Sequence, residues 1–182
     1  MVTEVHRPAT RRTRTVVVTA VALAVLAGAA LAVQLNLAGR QELRAGLTAR
    51  VTALLERASP AEHHEHGHEF GPDAGRVVCA VDVFGTDPAD AGTVAEVTWV
   101  YAHHMCAITG PGAGWSVSVR ASGPIAVRLG TPDRVRVPQS GAGYPERVRE
   151  IIPERYHDEA FGEFGDEEAI EVARERFVQA TR

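Results

Sequence analysis

WSVSVRASGPIAVRLGTPDRVRV, residues 115–137, is the stretch from which the fold is read. Trp115, Val117 and Val119 alternate with Ser116, Ser118 and Arg120. Ile125, Val127 and Leu129 alternate with Ala126 and Arg128, and Val135 and Val137 alternate with Arg134 and Arg136. Ser122-Gly123-Pro124 and Thr131-Pro132-Asp133 supply turn residues between these runs. Period-two alternation bounded by Gly/Pro turns predicts an antiparallel meander with one wet face. Arg120, Arg128, Arg134 and Arg136 all fall on that polar face, where strand pairing would gather them into a basic patch. Such a patch suits anionic lipid headgroups, a cell-envelope polymer or an acidic protein. Its bland counterpart is a solvated face with no specific partner.

Working back from the meander, Arg76 to Phe84 reads as a strand with Val77, Cys79, Val81 and Val83 on one face. Val78, Ala80 and Phe84 make the other face apolar too, with Asp82 as the exception, so this strand should be covered on both sides. Asp87-Pro88 opens a helix by cap logic, and Val94, Val97, Tyr101 and Met105 continue it at helical spacing. The β-branched content leaves a strand over part of Val94 to Ala102 as the alternative. On a helix, His103 and His104 point in different directions, so at most one turns inward. Forward of the meander, Pro145 to Ile152 should be a short helix ended by Pro153. Asp166 to Ala180 is expected as a terminal helix, capped by Asp166, with Ile170, Ala173 and Phe177 inward. The fold class is therefore α+β, with a meander packed by helices and a curved sheet around one helix suiting the order.

The N-terminal side has a different character. From Thr15 to Gly39 there is no charged residue, and Val16 to Val33 is almost wholly Val, Ala and Leu. About 20 apolar residues cross the hydrocarbon core as a helix that satisfies its own backbone. Arg11, Arg12 and Arg14 before the run, with Ala30-Leu31-Ala32 in it, also fit a signal peptide. The run exceeds the usual apolar region of such peptides, which favours an uncleaved signal-anchor over a secreted product. More closely spaced arginines before the span than after it place the N-terminus in the cytoplasm. The organisation that follows is a basic cytoplasmic tail over 1–15 and a single-pass transmembrane helix over 16–37. Beyond these come a juxtamembrane stalk helix over 38–58, a His-rich linker over 59–75 and an extracytoplasmic α+β domain over 76–182. In the stalk, Leu43, Leu47, Val51, Leu54 and Ala58 share one helical face. That stripe either packs on the outer domain or pairs two copies as a homodimer.

The 182-residue chain carries a net charge of −4, and its 19 basic residues are all Arg. With abundant Ala, Gly and Val, this composition suggests a high-GC bacterial source. The acidity argues against a nucleic-acid binder. Cys79 and Cys106 both follow the span, and in an oxidising compartment they are expected to form a disulfide.

The conspicuous motif is His63-His64-Glu65-His66-Gly67-His68-Glu69, in which His64 to His68 matches H-E-x-x-H. On a helix that spacing puts two imidazoles on one face with a glutamate as general base. Here a tract of His and Glu generates the match by composition, its flanks are polar, and Gly67 weakens a helix. A looser reading is binding of zinc, copper or nickel through His63, His64, His66 and His68 without catalysis. The blander reading is a solvated linker whose histidines titrate near neutrality. Glu96, His103, His104 and His157 are the remaining ligand types on offer for a metallopeptidase. Tyr156-His157-Asp158-Glu159 resembles a catalytic cluster by residue type alone and has no nucleophile beside it. The expected function is a membrane-anchored, extracytoplasmic, non-enzymatic interaction module with the bilayer and a protein or envelope component as partners. Metal binding is the alternative.

Overall fold

Valines at both parities decide the first strand. Val77–Asp87 forms β1, with Val77, Cys79, Val81 and Val83 buried on one side of the sheet and Val78 and Ala80 on the other. A strand with two apolar faces must be sandwiched, and this one is. The computed structural model describes residues 10–58, 75–110 and 112–181, with side chains throughout except at 10–27 and at Arg120. The described chain separates into two compact units, Met1–Glu42 and Leu43–Arg182. The His-rich tract, His63 to His68, lies outside the described residues.

The segment expected as a helix through Val94 and Met105 is mostly strand. Val94–Glu96 makes a single 3-10 turn, and Trp99–Ile108 forms β2, antiparallel to β1. Val100, Ala102 and Cys106 enter the same core as Val81, while Tyr101 and Ala107 pack on the opposite face. The helical spacing was coincidental: both parities of β2 are needed, because both sides of the sheet are covered. For the same reason His103 and His104 are both buried, on opposite faces, against the expectation that only one turns inward.

The meander also differs from its expected bounds. Trp115–Ser118 is a helical turn, α2, in which Ser118 Oγ donates to the carbonyl of Gly114 at 2.8 Å. That local side-chain bond competes with a strand. Val119–Arg128 then runs as one strand, β3, and Arg134–Arg136 forms the short β4. Ser122-Gly123-Pro124, expected as a turn, lies inside β3 opposite Met105, His104 and His103. Proline breaks a ladder where a strand has two neighbours. At Pro124 it does not, because β4 pairs with β3 only from Ala126 to Arg128. The result is a four-stranded antiparallel sheet in the order β1-β2-β3-β4.

Helices cover both faces. Thr10–Arg57 is helix α1, and its residues from Leu43 onward belong to the folded unit. Leu47, Val51 and Leu55 are 0–1% exposed and pack with Cys79, Val81, Val100, Ile125 and Val127. The stripe packs on the sheet of its own chain, the first of its two expected arrangements, with Leu47 and Val51 buried and Leu43 and Leu54 partly so. On the other face lie α3 (Tyr144–Ile151), α4 (His157–Ala160) and α5 (Glu167–Ala180). As expected, Asp166 caps α5, accepting from the amide of Ala169 at 2.9 Å. Phe177 and Ala173 then seat α5 over Val78, Ala80 and Trp115. Val148 and Ile152 bring the α3 segment onto Tyr101 and Ala126.

Candidate functional site

The pairing register puts Cys79 opposite Cys106, and the two are joined as a disulfide with their Cα atoms 4.1 Å apart. Such closeness marks a non-hydrogen-bonded pair of an antiparallel ladder. The Cys79 amide therefore points away from β2, to the free edge of the sheet. Glu56 of α1 meets it there, accepting from Cys79 N at 2.9 Å, and also binds Arg176 of α5. Since α1 and α5 lie on opposite faces, this ion pair wraps the edge of β1.

A second wrap lies three residues on. Asp82 is buried on the α5 face, yet Arg44 of α1 reaches it around the same edge. Its other oxygen accepts from the amide of Gly165 at 2.9 Å. A carboxylate so placed is satisfied by a charge and a backbone donor together, as a buried charge requires. Farther along, a register shift between Val83 and Gly85 rotates the outward groups. Tyr156 then takes both edge groups of Thr86: its hydroxyl donates to the carbonyl at 2.9 Å and accepts from the amide at 3.3 Å. A Cβ at Gly85 would sit 2.7 Å from the Tyr156 ring, so only glycine admits the ring over the strand. Arg155 closes this end by pairing with Asp87 at 3.0 Å. Edge strands that stay monomeric are blunted in some such way.

The two histidines of β2 are tied to backbone. His103 Nε2 lies 3.3 Å from the carbonyl of Ala160, and its ring packs against Phe84 and Phe164. His104 Nδ1 lies 2.8 Å from the carbonyl of Gly123. Gly123 holds φ at +131°, a conformation suited to glycine, and sits directly opposite His104. His157 Nε2 lies 2.9 Å from the carbonyl of Ile152. Glu96 accepts from the amides of Gly92 and Thr93, which hold its carboxyl below the usual range. Tyr101 is buried beneath α3, and that burial pushes its phenol above the ordinary value, with the charge of Asp87 adding to the effect. Among the described residues no group of three or more His, Cys, Asp or Glu side chains could hold a metal ion. The proposed metal set, His63, His64, His66 and His68, is outside the described residues.

The basic face divides. Arg128 and Arg134 are directly opposed partners, and Arg136 lies two residues farther on the same side of β4. All three are exposed. The backbone of Arg120 stands near the other end of β3, eight residues from Arg128, roughly 26 Å at strand rise. Three of the four expected arginines therefore stand together, with the backbone of the fourth at the far end of β3. Asp82 had been visible in the sequence as the polar exception on β1. Glu56, Arg176 and Tyr156 gave no such sign, because their partners are strand-edge groups far along the chain. The sequence matches no family model, and no curated protein or solved structure matches it.

Proposed function

We propose that the chain is a single-pass membrane protein, its N-terminus cytoplasmic, which holds the unit Leu43–Arg182 outside the bilayer as a non-enzymatic interaction module. The observation that carries this is the uncharged run from Val16 to Leu37. Where its side chains are described, Leu31, Val33, Leu35 and Leu37 are 55–66% exposed on α1. Large apolar side chains left open in a row mark a surface meant for a nonaqueous partner. Among the described residues no helix is long and apolar enough to cross a membrane, but the side chains of Val16 to Ala27, which complete the run, are outside that set. The bonded Cys79–Cys106 pair fits an oxidising compartment. The non-enzymatic part of the reading is supported by use: Asp82, His103 and His104 are each engaged in holding the fold together.

Membranes from cells producing the full chain provide the test. After an alkaline carbonate wash the chain stays with the membranes, and protease added outside intact cells reaches the folded unit. Release by carbonate, or a folded unit sheltered until the cells are lysed, overturns the reading.

A further inference from the structure

Arg128, Arg134 and Arg136 stand apart from the other arginines of the sheet. Arg50 pairs with Asp133 and Arg155 with Asp87, so the two acids flanking the triplet are already occupied. Among the described residues the triplet has no ion pair, although Arg128 and Arg134 face each other across the ladder. Like charges directly opposed destabilise a sheet, so the arrangement favours an added anion.

Its position in the fold says which anion. Along α1, Glu56 lies at Cys79, Arg50 at Asp133 and Gly46 against Val94, where an added Cβ would stand 3.0 Å from Val94 Cγ2, while Arg44 reaches back to Asp82 in mid-strand. Arg50 and Gly46 thus meet the end of the sheet that carries Trp99, Arg128 and Arg134 in one row, and Gly46 is within one helical turn of Leu43, where the folded unit begins. Leu37, the last large apolar residue of the run, is six residues before Leu43, a reach of at most about 20 Å in any conformation. Trp99, half-buried beside Arg128, is a residue type that favours the headgroup level.

We propose that this end of the sheet docks on anionic phospholipid headgroups of the membrane that anchors the chain, with Arg128, Arg134 and Arg136 as the contacting cations. The inference rests on the anchoring reading above and names the partner of that module. Each basic side chain near an anionic surface contributes roughly a fivefold preference, and the preference falls with salt.

The test uses the full chain mixed with vesicles of phosphatidylcholine alone, or of phosphatidylcholine with one part in three of phosphatidylglycerol. Flotation reports anchoring, and amide exchange over residues 128–136 reports docking. The expected result is flotation with both vesicles, and slower exchange over 128–136 only with the anionic ones. That slowing is lost in R128Q/R134Q/R136Q and in high salt, while flotation is unchanged. Flotation with equal exchange on both vesicles overturns docking and leaves anchoring intact. Flotation only with anionic vesicles, abolished in the triple variant, upholds docking and overturns the anchor. Flotation with neither overturns both. Slowing by soluble polyglutamate but not by anionic vesicles also overturns the lipid assignment.

Discussion

The two edges of the sheet are built on opposite plans. Along β1 the outward groups are met by Glu56 at Cys79 and by Tyr156 at Thr86, and Arg44 and Arg176 pass around the strand to fasten α1 to the other face. The opposite edge is the short β4, with Val135 inward and Arg134 and Arg136 outward, and no side chain among the described residues bonds to its outer backbone. One edge spends polar side chains on closure. The other relies on brevity and positive charge, which also discourage strand addition. The first edge serves the fold, and the second carries the arginines for which we propose a membrane partner.

The comparison can be broken in several places. The largest effect should come from replacing Cys79 and Cys106 together with alanine. The bridge spans 27 residues of separation, and its loss should cost about 3–4 kcal/mol in the chain-entropy model, read from chemical denaturation of the full chain in mild detergent. Asp82→Ala comes next. It leaves the Gly165 amide without its acceptor and Arg44 without its pair, for a loss of about 1–3 kcal/mol; Arg44→Met should cost at least as much, because it leaves the buried Asp82 carboxylate without its counter-charge. Tyr156→Phe keeps the ring over Gly85 and removes both bonds to Thr86, so about 1 kcal/mol and faster exchange at Thr86 are expected. Arg134→Gln should have the smallest effect and the opposite sign. Relieving the opposed pair with Arg128 leaves stability unchanged or raises it by up to about 0.5 kcal/mol, and a loss above that would mean the triplet has a structural partner.

Legibility followed the locality of the forces. The strand at Val77 to Phe84 and the capped helix after Asp166 were readable because their causes lie within a few residues: valines at both parities in one case, an Asp cap and an apolar stripe in the other. β2 was read first as a helix because Val94, Val97, Tyr101 and Met105 happen to match a helical period; the strand kept as the alternative over part of Val94 to Ala102 is what forms, and its cause, a core on each face, is not local. Pro124 looked like a turn signal, and only the short reach of β4 explains its place in a strand. The disulfide was expected from compartment and count, and the register shows why those two cysteines meet. The edge clamps were hidden because Glu56–Arg176 and Thr86–Tyr156 join residues far apart in the chain. Of the basic face, alternation grouped Arg120 with Arg128, Arg134 and Arg136; the backbone of Arg120 stands far from theirs because Ser122 to Pro124, supposed a turn, continues β3.

Hydrogen exchange along both edges of the full chain in neutral vesicles tests the contrast most directly. The amides of Cys79 and Thr86 should exchange far more slowly than that of Val135, the residue of β4 whose backbone faces away from β3, with the gap at Thr86 closing in Tyr156→Phe. Equal protection at the two edges, or protection at Thr86 indifferent to the loss of the Tyr156 hydroxyl, would contradict it.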